Sequence, residues 1–543
     1  MDEDFCIIES ENIKNTTDDN VINLVLHTLN LNKQVLIFNK SKRSAEATAE
    51  KISEHLKKTH DDDLKKISKE ILNVLDTPTK QCIRLSMCIE KGIAFHHAGL
   101  LNKQREIIEN EFRNGKIKVI SSTPTLAAGM NLPAYKVIIK DYKRYTQRGM
   151  SDIPILEYHQ MSGRAGRPGQ EDVGRAVLCT KSCDETSKIV PKYIFGKTEE
   201  IISKLAIEPT LKMYLLSLIS MNIINSTQEI KDFFKNTLYA HQYGDIEELY
   251  YNIFRIIHIL KEYEFIQEDD NYFMATILGK KISELYLNPD TANYFLIHIE
   301  NFFKASKYRK DTYALIHFIV NTIEMKPLFN ILKSEEETYM KRLEELSDTL
   351  TVKFDPFEHD LHLFLNSIKT TDILEDWINE HSEDYITSKY NITPGELKYK
   401  QEIVDWLLYC IETISAFKKE VFFKNYITKL RNRFKYGIRE ELLALVSLKG
   451  IGRVRARNLF KNGIKDVNTF LKTPNNDLEK FIPHSIIINI KEEFGILHEE
   501  KNKNNIKIQT KQINDDEVNK LIKNYDEYEQ EKKEKNSKLT DFF

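Results

Sequence analysis

From residue 31 to about 182, short β-rich runs alternate with helical stretches, and this alternation limits the possible folds more than any other feature of the chain. The runs are QVLIF (34 to 38), GIAFHHAG (92 to 99), KVISS (118 to 122), KVIIK (136 to 140) and RAVLCT (175 to 180). Helical patterns fall at 41 to 58, at 102 to 114 and around 156 to 165. Strands alternating with helices of this length are joined by crossovers, and crossovers build a parallel sheet. An α/β domain is expected.

Past about residue 196 the strands nearly vanish. STQE (226 to 229) reads as a capping box at a helix start, with the Ser226 hydroxyl and the Glu229 carboxylate answering exposed amides. A helix at about 246 to 263 leads into EFIQEDDNYFMATILGKKIS, where two short β-like runs flank a polar tip, so a winged helix is expected. Residues 287 to 437 read as helical, broken at Pro394-Gly395, and LVSLKGIGRVRARNLFKNG (445 to 463) sets a glycine turn between two short helices. From about 500 the chain is Lys, Asn, Glu and Asp, too poor in apolar residues to offset ordering entropy, and disorder is expected.

A chain of 543 residues exceeds a single core, and 79 basic against 82 acidic residues leave a net charge of −3. Any nucleic-acid surface must then be a local patch. Six cysteines (6, 82, 88, 179, 183 and 410) form no C-x-x-C pair and read as ordinary buried thiols of a reducing compartment. The N-terminus lacks a signal pattern, and no apolar run reaches ~18 residues, so a cytoplasmic protein without membrane contact is expected. HDDD (60 to 63) has no second ligand group and reads as a solvated loop, and no metal site is expected from protein ligands.

QMSGRAGRPG (160 to 169) places Arg164 and Arg167 on nearly one helix face, with Gly163 and Gly166 allowing close approach. Guanidinium forks beside helix-start amides suit a phosphate, or charge developing in phosphoryl transfer, although an Arg-rich surface turn has the same spelling. Three other clusters follow predicted strands: Asn39, Ser41 and Arg43 in VLIFNKSKR, His96 and His97 in AFHHAGL, and Thr123, Thr125, Gly129 and Asn131 in VISSTPTLAAGMNLPA. Ligands collect at strand carboxyl ends in open α/β sheets. The four clusters in this order are far more specific than any one alone.

In this order the clusters resemble motifs IV, IVa, V and VI of the Ski-type group of superfamily 2 helicases, specifically the archaeal DNA helicases related to HELQ and the polymerase theta helicase domain. The resemblance runs from about residue 18 to 490. It implies a second RecA-like domain (18 to 196), a winged helix (197 to 286), a helical ratchet domain (287 to 437) and a helix-hairpin-helix domain (438 to 498), which leaves residues 1 to 17 as an extension and 499 to 543 as the tail expected from composition to be disordered.

The same resemblance implies roles for individual residues. Arg164 and Arg167 match the arginine fingers that reach a nucleotide's phosphates, with Gln160 and Gly163 in the cleft and Gly129 and Asn131 coupling ATP state to the DNA strand. Asn39, Ser41, Arg43, Thr123 and Thr125 lie where the family holds backbone phosphates. KDYKRYTQRGMSDIP (140 to 154) matches the strand-parting hairpin, tipped with Tyr145, Gln147, Arg148 and Gly149. Trp406 falls at the base-stacking position of the ratchet helix, with Lys398 about two turns earlier, while Tyr399 departs from relatives that place a second cation there; Trp377 reads as core. Gly450, Gly452, Arg453, Arg455 and Arg457 would meet phosphates without reading bases. Leu539, Phe542 and Phe543 are spaced like a sliding-clamp peptide, although Asn536 stands where that motif prefers Gln.

ATP hydrolysis of this type needs a Walker A loop and an Asp-Glu box for Mg2+. No G-K-[ST] follows a strand here, and DDEV (515 to 518) lies in the tail. The first RecA-like domain is expected on another polypeptide. Three functions stay open: the C-terminal part of an ATP-dependent 3'-5' DNA helicase, a non-catalytic single-strand binder, or an RNA helicase of the same group. DNA is preferred because the passage from 181 to 203 leaves no room for the arch domain of the RNA-acting relatives.

Overall fold

A computed structural model describes residues 13–56, 61–75, 77–129, 132–146, 149–166, 173–243, 246–304, 312–417 and 421–495. Two compact units are formed, one from residues up to 294 with 382–403, the other from 295–381 with the residues after 403.

The first unit carries the expected parallel sheet. Strands β1 (Val35–Phe38), β2 (Ile93–His96), β3 (Val119–Ser122), β4 (Lys136–Ile139) and β7 (Arg175–Leu178) lie in the order β2-β3-β1-β4-β7. All four contacts are parallel, with Val35 opposite both Val119 and Lys136. Helices cover both faces, so β1, β2, β3 and β4 are wholly buried and read as near-continuous apolar runs rather than alternating ones. Ser41 starts the helix Lys42–Glu54 by accepting from the Ser44 amide at 3.1 Å. Residues 61 to 63, expected as a loop, instead begin a helix: Asp61 caps Asp62–Leu72, and Asp63 binds Lys116. The expectation for the cysteines holds at Cys82, Cys88 and Cys410, whereas Cys183 is exposed at a helix start.

Strands β5 (Lys143–Thr146) and β6 (Gly149–Asp152) form an antiparallel hairpin between β4 and the helix Ile155–Ser162, with Arg144 opposite Ser151 and Thr146 opposite Gly149. The winged-helix region follows. Its capping box forms as expected, Glu229 accepting from the Ser226 amide at 3.1 Å and Ser226 from the Glu229 amide at 3.3 Å. Its wing is β8 (Ile266–Asp269) and β9 (Tyr272–Ala275), turned through Asp270 and Asn271 at φ 43° and 67°. A bridge between Ser226 and Tyr272 stitches the wing to the capped helix.

The second unit is helical. Thr312–Val320 is buried from Tyr313 through Val320, as befits a helix apolar on all sides. Leu361–Ile378 packs beside it, and Trp377 is core as expected, its Nε1 donating to the Phe434 carbonyl at 2.7 Å. Short helices including Leu443–Val446, Arg453–Lys461 and His484–Glu493 enclose a separate apolar cluster. Among the described residues, no helix is long and apolar enough to cross a membrane.

Candidate nucleotide and nucleic-acid site

Two ends of the parallel sheet carry different chemistry. At the carboxyl ends of β1 and β3 lie Ser41, Arg43, Thr123 and Thr125, with Ser41, Arg43 and Thr125 exposed and the Thr123 and Thr125 hydroxyls 2.9 Å apart. Asn39 is a correction. Expected to face a phosphate, it is buried, its amide nitrogen donating to Ser121 Oγ at 3.0 Å and its side-chain oxygen accepting from the Thr48 hydroxyl at 2.9 Å. Its side chain braces the end of β1.

The arginine turn lies near the amino end of β4. Helix Ile155–Ser162 stops at Gly163, and the chain then pairs with Ala134: the Ala134 amide donates to the Arg164 carbonyl at 2.9 Å and the Gly166 amide to the Ala134 carbonyl at 2.7 Å. Gly166 takes φ 92°, which a residue with a side chain rarely adopts. Arg164 Nε and Nη2 donate to the Ala127 carbonyl at 3.2 and 2.6 Å. Ala127 belongs to the short helix Thr125–Gly129, which begins at the threonine cluster. One five-residue helix thus touches the arginine turn and continues from the opposite end of the sheet. Gln160 and Gly163 are exposed beside it, whereas Asn131 and Arg167 lie outside the described residues.

Carboxylates brace this region. The amides of Ile155 and Leu156, left without a side-chain cap by Pro154, donate to the two oxygens of Glu199 at 2.6 and 3.0 Å. Those amides hold the Glu199 carboxyl below its usual range. Glu157, on the same helix, meets Arg144 of β5 at 2.8 Å, and burial pushes its carboxyl up against the pull of that arginine. The hairpin base is closed by Lys192 on Asp152 at 2.6 Å and by the Tyr193 hydroxyl on the Ile153 carbonyl at 2.8 Å. Tyr145 lies on β5 opposite Met150, while Gln147 and Arg148 lie outside the described residues.

The loop after β2 serves a different purpose. His97 is fully buried, its Nε2 3.1 Å from Glu46 and its Nδ1 accepting from the Gly99 amide at 3.1 Å. Burial works against the Glu46 charge, but bonds from His97 and Gln81 outweigh it and keep the carboxyl low. The Gly99 carbonyl accepts from the Gly395 amide at 2.9 Å, and Lys42 pairs with Glu396 at 2.6 Å. A Cβ at Gly395 would lie 2.5 Å from the Ala98 carbonyl, so Pro394-Gly395 starts the helix Pro394–Phe417 and permits this close approach. On that helix Lys398 and Tyr399 are exposed and Trp406 is half-buried.

In the glycine turn of the second unit, Gly450 takes φ 85° and Gly452 precedes the helix Arg453–Lys461. Arg453 lies over the Trp377 ring at 4.5 Å, and Arg455 donates to the Gly450 carbonyl at 2.7 Å. Arg457 is the second correction. Expected on a phosphate, it donates through Nε to Glu380 at 2.7 Å and pairs with Glu441 at 2.8 Å. Leu539, Phe542 and Phe543 lie outside the described residues.

Glu157, Glu199, Lys42 and Glu396 were not singled out from the sequence. Each acts on a partner set by the fold, and only Glu396, three residues after Thr393, had a local cue: its carboxylate accepts from the Thr393 amide at 2.9 Å, a capping-box spacing.

Residues 73–169 match the family described as helicase conserved C-terminal domain, residues 174–267 a helix-turn-helix domain, and residues 313–437 archaeal helicase, domain 4. The chain is similar to the ATP-dependent DNA helicase Hel308 of Methanococcus vannielii, 35% identical across 89% of this chain and 68% of the relative. Hel308 of Methanocella arvoryzae is 37% identical across 84% and 62%, and that of Pyrococcus horikoshii 37% across 82% and 61%. The chain therefore spans about two thirds of the length of these relatives, and less than that for the last two.

Proposed function

The chain belongs to the family of archaeal Hel308-type DNA helicases, and from that premise we propose that it supplies the second motor half and the DNA-gripping portion of an ATP-dependent 3'-5' helicase acting on forked or single-stranded-tailed DNA in replication and repair. The observation that carries this reading is the bond from Arg164 to the Ala127 carbonyl, which fastens the arginine turn to the helix leading from the threonine cluster. A nucleotide-facing group bonded to the short helix that starts at a strand-facing group is a link by which hydrolysis can be converted into movement.

ATP with Mg2+, when bound by a Walker A domain outside these 543 residues, supplies the phosphoryl transfer. Arg164 and Arg167 then stabilise charge on the transferring group, Gln160 and Gly163 line the cleft, and Gly129 and Asn131 pass its state onward. Ser41, Arg43, Thr123 and Thr125 hold backbone phosphates, and Tyr145 and Arg148 meet the junction. Trp406 stacks on a base with Lys398 nearby. Gly450, Gly452, Arg453 and Arg455 contact phosphates farther along, and Leu539, Phe542 and Phe543 form a sliding-clamp peptide.

The test is strand displacement by this chain mixed with a Walker A-bearing first motor domain of a relative. Duplexes with a 3' DNA tail, a 5' DNA tail or a 3' RNA tail are compared. Displacement confined to the 3' DNA tail supports the proposal. Tight single-strand binding without displacement points to a non-catalytic binder, and preference for the RNA tail to an RNA helicase.

A further inference from the structure

The hairpin β5–β6 and the arginine turn are separated by a single element, the eight-residue helix Ile155–Ser162. At 1.5 Å per residue it is a rod of about 12 Å. Its start is held by Glu199 on two amides, and its end runs directly into Arg164. Glu157 and Gln160 lie three residues apart on this helix and so share one side.

The hairpin is held at two levels. The Ile153 amide bonds to the Tyr142 carbonyl at 2.8 Å and Lys192 holds Asp152, which fixes the base. One cross-strand pair farther out, Arg144 Nη1 reaches both Glu157 oxygens, at 3.0 and 2.8 Å. This contact lies one cross-strand pair beyond the base anchors. It is also made to the helix that carries the arginine turn. A carboxylate with 17% of its side chain exposed loses solvation, and a guanidinium partner offsets that loss only while the two stay in register.

We propose that Glu157 is a positioning residue: through Arg144 it locks the β5–β6 hairpin to the arginine-turn helix, so that the two move as one body and the tip is presented to the duplex end at a fixed angle. The proposal rests on the reading of the hairpin as the strand-parting element. It adds the residue pair through which a shift at the arginine turn reaches that element.

The test uses the chain without nucleotide and a forked DNA with a 3' tail and 2-aminopurine in the last base pair of the duplex. Binding of the unsubstituted chain should raise the 2-aminopurine signal as that base unstacks. Glu157→Gln and Arg144→Gln should bind the fork with Kd within about twofold of the unsubstituted chain while the signal change falls about fivefold, the scale one ion pair supports. The reversed pair Arg144→Glu with Glu157→Arg should restore it, which a purely space-filling role would not. The inference is overturned if Glu157→Gln keeps the full signal, or if the reversed pair fails to restore it. Should either single variant melt at lower temperature, the reversed pair decides. If the unsubstituted chain binds the fork but gives no signal at the junction, the strand-parting reading itself fails and takes the inference with it.

Discussion

Two turns in this molecule are spelled alike, glycines interleaved with arginines at 163 to 167 and at 450 to 457, and the structure uses them differently. Arg164 gives two donors to a backbone carbonyl, while Arg457 gives its donors to Glu380 and Glu441. The Ala127 carbonyl orients the Arg164 guanidinium. Two carboxylates neutralise that of Arg457. This second arrangement suits a group that holds two helical segments together.

The largest expected effect breaks the first arrangement. Arg164→Lys keeps the charge but loses the fork that spans Ala127, and turnover of ATP in a mixture with a Walker A domain should fall about 100-fold. Thermal unfolding of the variant should stay near that of the unsubstituted chain. Next, Arg457→Ala leaves Glu380 and Glu441 without their cation and should destabilise the second unit by about 1.5 to 3 kcal/mol, read by denaturant unfolding. Single-strand affinity measured against salt should keep its slope in this variant. Arg455→Ala sharpens the contrast: if Arg455 faces phosphate, the slope of log affinity on log salt falls by about one unit with little change in stability.

The smallest effect is on acid stability. Burial works against the Glu380 charge, but bonds from Arg457 and the Arg439 amide outweigh it, so its carboxyl lies below the ordinary 4.5. A carboxylate with a lowered folded pKa adds stability that is complete above 4.5 and is lost as pH falls through the folded value. Arg457→Ala should flatten this acid limb, measured by unfolding between pH 3 and 6. Arg164→Lys should leave it unchanged.

The sheet was legible because buried parallel strands are apolar throughout, and VLIF or KVII can hardly serve another purpose once helices flank them. The wing was legible from two short runs flanking a polar tip, whereas the hairpin at 140 to 154 was implied only by the resemblance to the helicase family. Asn39 and Arg457 were misjudged for one shared reason: a polar side chain after a strand or in a glycine turn looks outward until its partner is known, and those partners, Ser121 and Glu380, lie 82 and 77 residues away. Residues 61 to 63 form a helix start and not the expected loop because an acidic run is equally good as either. Glu199 escaped notice because no periodicity links a linker carboxylate to amides 44 residues earlier.

The central claim is that Arg164 faces a nucleotide. Its most direct test is ATP turnover by this chain mixed with a Walker A-bearing RecA-like domain and single-stranded DNA, with Arg164→Ala alongside. DNA-stimulated turnover is expected in the mixture, with a loss of about 1,000-fold in the variant, the scale of a missing arginine finger. Turnover by Arg164→Ala equal to that of the unsubstituted mixture would contradict it.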